Sequence, residues 1–247
     1  MGSIQQNTME YSAPPVEVTF DGLLFDMDGT IIDSTSAVVK HWEAVGNEIG
    51  VSPEVILQTS HGRRSIDILK ILAPEKANWE YVRHMEGLLP KHYSAEAIEI
   101  PGARPLLESL ITASAPWAIV TSGTVPLVTG WLNVLNLPSP AHLITAESVT
   151  NGKPDPACYR LGRERLGLLG DDKALLVLED APAGIRAGKA AGCKVVGLVT
   201  SHTVDEVLAA GPDWVVRDLD SVRFVRTETA DGGVKVTVEI RDALVVG

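Results

Sequence analysis

A chain of 247 residues, 45% hydrophobic and 21% charged, has the make-up of a globular protein with one large domain or one domain carrying an insertion. Its net charge of -11 argues against nucleic acid or an anionic membrane as the main partner, although a local cation can still draw a small anion into one cleft. Two cysteines, Cys158 and Cys193, are too few for a disulfide framework and point to a reducing cytoplasm; no apolar run approaches the length of a membrane span.

Residues 1–15 are polar and aperiodic, lack the apolar core of a signal peptide and end in a Pro pair, so a disordered tail is expected there. The stretch Gly22-Leu23-Leu24-Phe25-Asp26-Met27-Asp28-Gly29-Thr30 is an apolar strand that stops at a carboxylate, with a second carboxylate two positions on. Asp33 or Ser34 can cap a helix whose apolar face is Val38, Trp42, Val45 and Ile49, ended by Gly50. Further helices are expected from Pro53, from near Arg64 and from about Asn78, with no convincing strand before residue 97. Residues 34–97 therefore read as an all-helical insert, and Pro101-Gly102 punctuates its end. Beyond it, apolar runs at 117–121, 143–146, 175–178, 195–199 and 214–216 alternate with helical stretches near 103–113, 125–135, 156–166, 182–191 and 203–210. That alternation predicts a doubly wound, mainly parallel α/β sheet built from residues 16–33 and 98–247. The tail of the chain, 222–228 and 234–241 around Asp231-Gly232-Gly233, alternates apolar and polar residues as a β-hairpin does.

Four places carry chemistry, each at the end of a predicted strand. On a strand, residues two apart leave the backbone in the same direction, so Asp26 and Asp28 converge where open α/β sheets hold ligands. One acid can act as nucleophile or metal ligand while the other handles protons. The second strand ends in Thr121-Ser122-Gly123, a hydroxyl and backbone N–H groups suited to cradling phosphate. In Gly152-Lys153-Pro154-Asp155-Pro156 the flanking Gly and Pro restrict the backbone around one Lys, whose ammonium can neutralise phosphate and keep Asp26 ionised. In Leu176-Val177-Leu178-Glu179-Asp180 another apolar strand ends in two acids; beside Asp26 and Asp28 they make a hard-oxygen site suited to Mg²⁺. Taken singly, each of these is also an ordinary turn, cap or helix start.

The ordered set of four resembles the haloacid-dehalogenase-like superfamily of Asp-nucleophile phosphatases, from about residue 20 to 220, in its helical-cap form. Ser60-His61-Gly62-Arg63-Arg64-Ser65, the stretch from Met85 to Pro90 and the one from Glu99 to Ala103 are similar to a narrower group. That group is the fungal glycerol-phosphate phosphatases and their relatives acting on 2-deoxyglucose 6-phosphate. The resemblance implies that Asp26 attacks phosphorus and forms an aspartyl phosphate, and that Asp28 protonates the leaving alkoxide and then activates water. It implies that Ser122, Gly123, Lys153 and Mg²⁺ spread the phosphoryl charge. Metal ligation falls to Asp26, Asp28 through its carbonyl, Asp180, and Glu179 directly or through water.

Substrate choice is expected in the cap. His61, Arg63 and Arg64 form a cationic knot, and Arg64 stands at the Arg of the family's HGxR-like pattern, which favours it as the group over the leaving alcohol; Glu86 orients Arg64 or meets hydroxyls. Arg63 replaces a bulky aromatic of some glycerol-phosphate enzymes and leaves a wider sugar phosphate open. The expected enzyme is a cytoplasmic, monomeric, Mg²⁺-dependent phosphomonoesterase for a small polyol or sugar phosphate. The competing readings are a phosphosugar mutase of the β-phosphoglucomutase type, with the same catalytic groups, and a non-catalytic phospho-acceptor module, which would have no use for the cap.

Overall fold

The computed structural model of the chain describes residues 9–60, 62–170, 172–230 and 232–246. In chain order, β1 (Met9–Tyr11), β2 (Val16–Phe20), β3 (Gly22–Phe25) and the short β4 (Ile32–Asp33) lead into α1 (Thr35–Ile49), α2 (Pro53–Ser60), α3 (Ser65–Leu72) and α4 (Trp79–His92). The chain then passes through β5 (Ile98–Glu99), α5 (Ala103–Thr112), β6 (Trp117–Val120), α6 (Val125–Val134), β7 (Leu143–Ile144), α7 (Ala157–Arg165), β8 (Leu175–Glu179), α8 (Pro182–Ala190), β9 (Lys194–Leu198), α9 (Val204–Ala209) and β10 (Trp214–Val216). It ends in β11 (Val222–Ala230), β12 (Gly233–Ile240) and β13 (Leu244–Val246).

The main sheet has six parallel strands in the order β10-β9-β8-β3-β6-β7. Strand alternation divides its side chains between two cores. Leu23, Phe25, Trp117, Ile119, Leu176 and Leu178 face α5 and α6 on one side. Leu24, Ala118, Val120, Leu175 and Val177 face α7, α8 and α9 on the other. Both faces are covered, which is why these strands read as unbroken apolar runs. Successive strands build outward from β3 in one direction through β6 and β7, then in the other through β8, β9 and β10. The reversal puts a crevice at the carboxyl end of β3, flanked by β6 and β8.

The helices α1 to α4 have their own apolar cluster around Trp42, Val45, Ile56, Ile68, Leu69 and Val82. They enter and leave the core through an antiparallel pair, in which Ile32 lies opposite Glu99 and Asp33 opposite Ile98. α1 stops at Gly50, whose φ of 71° lets its N–H turn back to the Gly46 carbonyl.

The hairpin β11–β12 is present, and β2 adds to β12 as a third antiparallel strand through Val16–Phe20. Its Val236, Val238 and Ile240 pack into the α5–α6 side of the core, so the hairpin covers that side. One expectation needs correction. Met9–Tyr11, within the stretch read as a disordered tail, is a strand paired with Leu244–Val246. A three-residue strand whose partner lies at the other end of the chain leaves no local pattern to read.

Candidate active site

Asp26 follows directly on β3, and its N–H still donates to the Leu178 carbonyl at 3.0 Å, so the strand ladder itself holds it beside Glu179. Lys153 is 3% exposed and its ammonium spends its three donors on Asp26 Oδ1 (2.5 Å), Glu179 Oε1 (2.6 Å) and the Val120 carbonyl (3.0 Å). Burial, with the Glu179 and Asp180 charges adding to it, holds the Asp26 carboxyl well above the ordinary carboxylate range, and the Lys153 charge beside it offsets only part of that rise. Burial by itself would lower Lys153, but Asp26 and Glu179 together hold it above its ordinary range, so it stays charged.

Glu179 is fully buried and engaged on both oxygens: Oε1 accepts from Lys153 and from the Tyr159 hydroxyl at 3.0 Å, and Oε2 accepts the Ala181 N–H at 2.9 Å. A Cβ on Gly184 would stand 1.5 Å from Glu179 Oε1, so only glycine leaves room for this carboxylate. Asp180 accepts from Thr30 Oγ1 at 3.0 Å and from Ser201 Oγ, and burial, reinforced by Glu179, pushes it up to about 7. Gly29 has φ of 92°, and a Cβ there would come within 2.1 Å of Asp180 Oδ2. The turn after the two acids is therefore fitted around Asp180.

Asp26, Glu179 and Asp180 each place an oxygen within 4.8 Å of the others. Three buried acids against one ammonium leave uncompensated negative charge, and hard oxygen donors in that balance fit a divalent cation such as Mg²⁺. Because Glu179 already serves Lys153, Tyr159 and Ala181, Asp26 and Asp180 are the side chains with capacity to spare for a metal. The Asp28 carboxylate lies outside this cluster. It turns to Ser34 Oγ, which donates at 2.6 Å, and burial raises it above the ordinary carboxylate range.

The cleft above these groups has a core wall that includes Asp26, Asp28, Ser122, Gly123 and Asp180, and a cap wall that includes Val38, His41, Trp42, Ser60, Arg63 and Glu86. Ser122 Oγ donates to the Gly62 carbonyl at 2.9 Å, and the Gly123 N–H donates to Thr121 Oγ1 at 3.0 Å. Both residues line the cleft, and each donor points at protein. Glu86 bridges cap and core, accepting from Ser65 Oγ at 2.5 Å and from the Thr124 N–H at 2.8 Å; burial pushes it up to about 7. It does not touch Arg64 through any of these contacts.

Arg64 is the clear departure from the sequence reading. Its side chain does not line the cleft; it is 2% exposed and points into the core loop after β7, while Arg63 lines the cleft instead. Four of its five N–H donors are spent on Asp67 and on the carbonyls of Ala146, Val149 and Thr150, which turns the guanidinium away from a leaving group. His61 lies outside the described residues. His41 was not singled out in the sequence, yet it lines the cleft against Trp42, their rings 5.2 Å apart, and burial lowers it to about 4, so it is neutral at pH 7. Its spacing three after Val38 and four before Val45 on α1 was the available signal.

The family model for haloacid dehalogenase-like hydrolases matches residues 23–198. The chain belongs to the haloacid dehalogenase-like hydrolases. It is 38% identical over 222 residues to glycerol-1-phosphate phosphohydrolase 1 of Saccharomyces cerevisiae, covering 87% of this chain and 89% of that one. It is 36% identical over 214 residues to hexitol phosphatase A of Escherichia coli, covering 85% and 96%. It is 36% identical over 239 residues to 2-deoxyglucose-6-phosphate phosphatase 2 of S. cerevisiae, covering 90% and 96%. Among solved structures, a hydrolase from Pseudomonas syringae superposes with a TM-score of 0.68 at 26% identity, covering 81% of this chain and 94% of that one. In this chain the acids sit at the carboxyl ends of β3 and β8, where the sheet topology opens its crevice.

Proposed function

We propose that this hydrolase removes phosphate from a small polyol or sugar phosphate by attack of Asp26 on phosphorus. The observation that carries the reading is the Asp26–Lys153 pair at the floor of the cleft, with Asp28 two residues on and held by a different partner. Burial raises both carboxyls; Lys153, touching Asp26 at its oxygen, works toward the ionised, nucleophilic form of that residue, and Asp28, held by Ser34 and raised by burial, is suited to give a proton to the departing alkoxide. The different partners of the two carboxyls, an ammonium for Asp26 and a hydroxyl for Asp28, support nucleophile and acid as their respective roles. In the second half, Asp28, now ionised, takes a proton from the water that attacks the aspartyl phosphate.

Ser122 Oγ would leave the Gly62 carbonyl to donate to a phosphoryl oxygen, and Lys153 supplies positive charge beneath it. Mg²⁺, held by Asp26 and Asp180 with the Asp28 carbonyl, would supply further charge neutralisation and orientation of the phosphoryl group. The residues then need chiefly to position and to exclude water, which the cap does by closing the cleft.

The cap wall supports a hydroxylated leaving group. Ser60 Oγ is buried, faces the cleft and has no hydrogen-bond partner among the described residues, and neutral His41 offers both a donor and an acceptor nearby. Val38, Trp42 and Leu89 give an apolar surface for carbon. The three curated relatives above, matched over most of their lengths, are enzymes for glycerol 1-phosphate, hexitol phosphate and 2-deoxyglucose 6-phosphate by name, which favours hydrolysis over isomerisation. Cys158 and Cys193 are both buried and free, which suits a cytoplasmic enzyme.

The test is phosphate release from glycerol 1- and 3-phosphate, 2-deoxyglucose 6-phosphate, hexose 6-phosphates, sorbitol 6-phosphate and β-glucose 1-phosphate, with Mg²⁺ and with EDTA. Release that is Mg²⁺-dependent and sharply selective for one polyol or sugar phosphate supports the reading. Isomerisation of glucose 1-phosphate with no release from any member would replace it with the mutase.

A further inference from the structure

We infer that Arg64 is a positioning residue that couples closure of the cap to the placement of Lys153; the inference rests on the phosphatase reading for the role of that lysine. Arg64 precedes α3 in the cap, and its Nε donates to Asp67 of that helix at 2.7 Å. The rest of the guanidinium crosses to the core. Nη1 donates to the carbonyls of Ala146 (3.1 Å) and Val149 (2.7 Å), and Nη2 donates to the carbonyl of Thr150 (2.8 Å). These acceptors belong to the loop that leads from β7 into Gly152-Lys153. One rigid fork therefore ties three carbonyls of the lysine-bearing loop to one cap helix.

The loop is shaped to receive this side chain. A Cβ at Gly152 would stand 2.6 Å from Arg64 Nε and 3.0 Å from its Cδ, so the residue next to Lys153 has no side chain where Arg64 packs. Neither Ala146, Val149 nor Thr150 has its carbonyl taken by a backbone N–H among the loop and turn hydrogen bonds of the described residues. With the cap swung away, these carbonyls would lose their guanidinium donor together, and the loop would be freed at the residues just before Lys153. Lys153 in turn must hold one geometry to reach Asp26, Glu179 and the Val120 carbonyl at once. Closure of the cap thus sets the lysine as well as excluding water. The role predicted for this arginine, contact with the leaving group, is replaced by one that acts on every substrate alike.

The experiment compares Arg64→Ala, Arg64→Lys and Gly152→Ala with the wild type, using Arg83→Ala as control because Arg83 is an exposed arginine of the cap that pairs with Glu147 of the same loop at 3.5 Å. Two readouts are taken: amide hydrogen exchange over residues 145–155, and kcat per active site on both an aryl phosphate and the preferred polyol or sugar phosphate. Arg64→Ala is expected to speed exchange in that segment about tenfold. It is also expected to lower kcat on both substrates by a similar factor, roughly tenfold to a hundredfold. Arg64→Lys, with a charge but no fork, should fall between, and Gly152→Ala should reproduce the loss with the guanidinium still present; Arg83→Ala should match the wild type. Unchanged exchange in Arg64→Ala overturns the coupling, as does a kcat loss confined to the polyol or sugar phosphate. If Arg64→Ala fails to fold, Arg64→Lys and Gly152→Ala decide by the same readouts. Should the wild type release phosphate from nothing, the phosphatase reading fails on its own account and the exchange arm still decides whether Arg64 holds the loop.

Discussion

On the core side of the cleft the charged groups are placed by the backbone of a parallel sheet; on the cap side they are placed by how helices meet that sheet. Asp26, Ser122 and Asp180 each sit within a residue or two of a strand end, and the strand order delivers them to one crevice. Arg63 and Arg64 are adjacent in sequence and chemically alike, yet one faces the cleft and the other is buried against core carbonyls. The same residue type at neighbouring positions can therefore serve a ligand or a loop. The comparison predicts that substitutions in the core should disable chemistry on any substrate, that Arg64 should share this behaviour despite its place in the cap, and that true cap-wall residues should change selectivity.

The largest effect is expected at Lys153. Lys153→Met removes the one cation between Asp26 and Glu179, and kcat should fall by about a thousandfold or more on every substrate. The two buried carboxylates left unpaired should also cost roughly 3–5 kcal/mol in urea unfolding. Asp28→Asn keeps the shape but cannot exchange a proton, and kcat should drop about 10²–10⁴-fold, with the smaller loss on an aryl phosphate whose leaving group needs little protonation. An equal loss on aryl and alkyl substrates would assign Asp28 to structure. Arg63→Ala should reduce kcat/KM for the preferred polyol or sugar phosphate by about tenfold, the worth of one charged hydrogen bond, while leaving the aryl phosphate nearly unaffected.

The smallest effect concerns Glu86 and pH. Its carboxyl is raised to about 7 in the folded protein, so below the ordinary carboxylate range both folded and unfolded forms are protonated and its contribution is fully present. As pH rises through about 5 to 7 the unfolded chain releases this proton more readily than the native one, and stability is lost, by roughly 1–3 kcal/mol in total. Glu86→Gln cannot titrate and should show a flatter fall of Tm across that window. Parallel Tm profiles for the two proteins would show that Glu86 is not the group responsible.

The fold was legible where the chain repeats a local pattern. Short apolar runs alternating with helical spacing identify β3, β6, β8 and β9, and these strands, covered on both faces, are apolar except for Lys194 at the start of β9 and Glu179 at the end of β8. The β1–β13 pairing was illegible because both strands are three residues long and join opposite ends of the chain. The core acids were legible because the sheet topology fixes where strand ends go, and Lys153, in the loop well past β7, because Gly152 and Pro154 flank it. Arg64 was not, because its destination is a set of main-chain carbonyls, and carbonyls carry no signature in a sequence. Glu179 lies between the two cases. Its position was visible, but its commitment to Lys153, Tyr159 and Ala181 emerges only from packing, with Gly184 as the one sequence trace of it.

The central claim is that Asp26 carries the phosphoryl group. The most direct measurement is acid quench of the enzyme during turnover of its preferred phosphate ester, followed by mass analysis of the peptide containing Asp26, with Asp26→Asn run alongside. The account predicts a phosphorylated Asp26 in the wild type, no label in Asp26→Asn, and loss of phosphate release from that variant by about a thousandfold or more. Release by Asp26→Asn within tenfold of the wild type, on the same substrate, would contradict it.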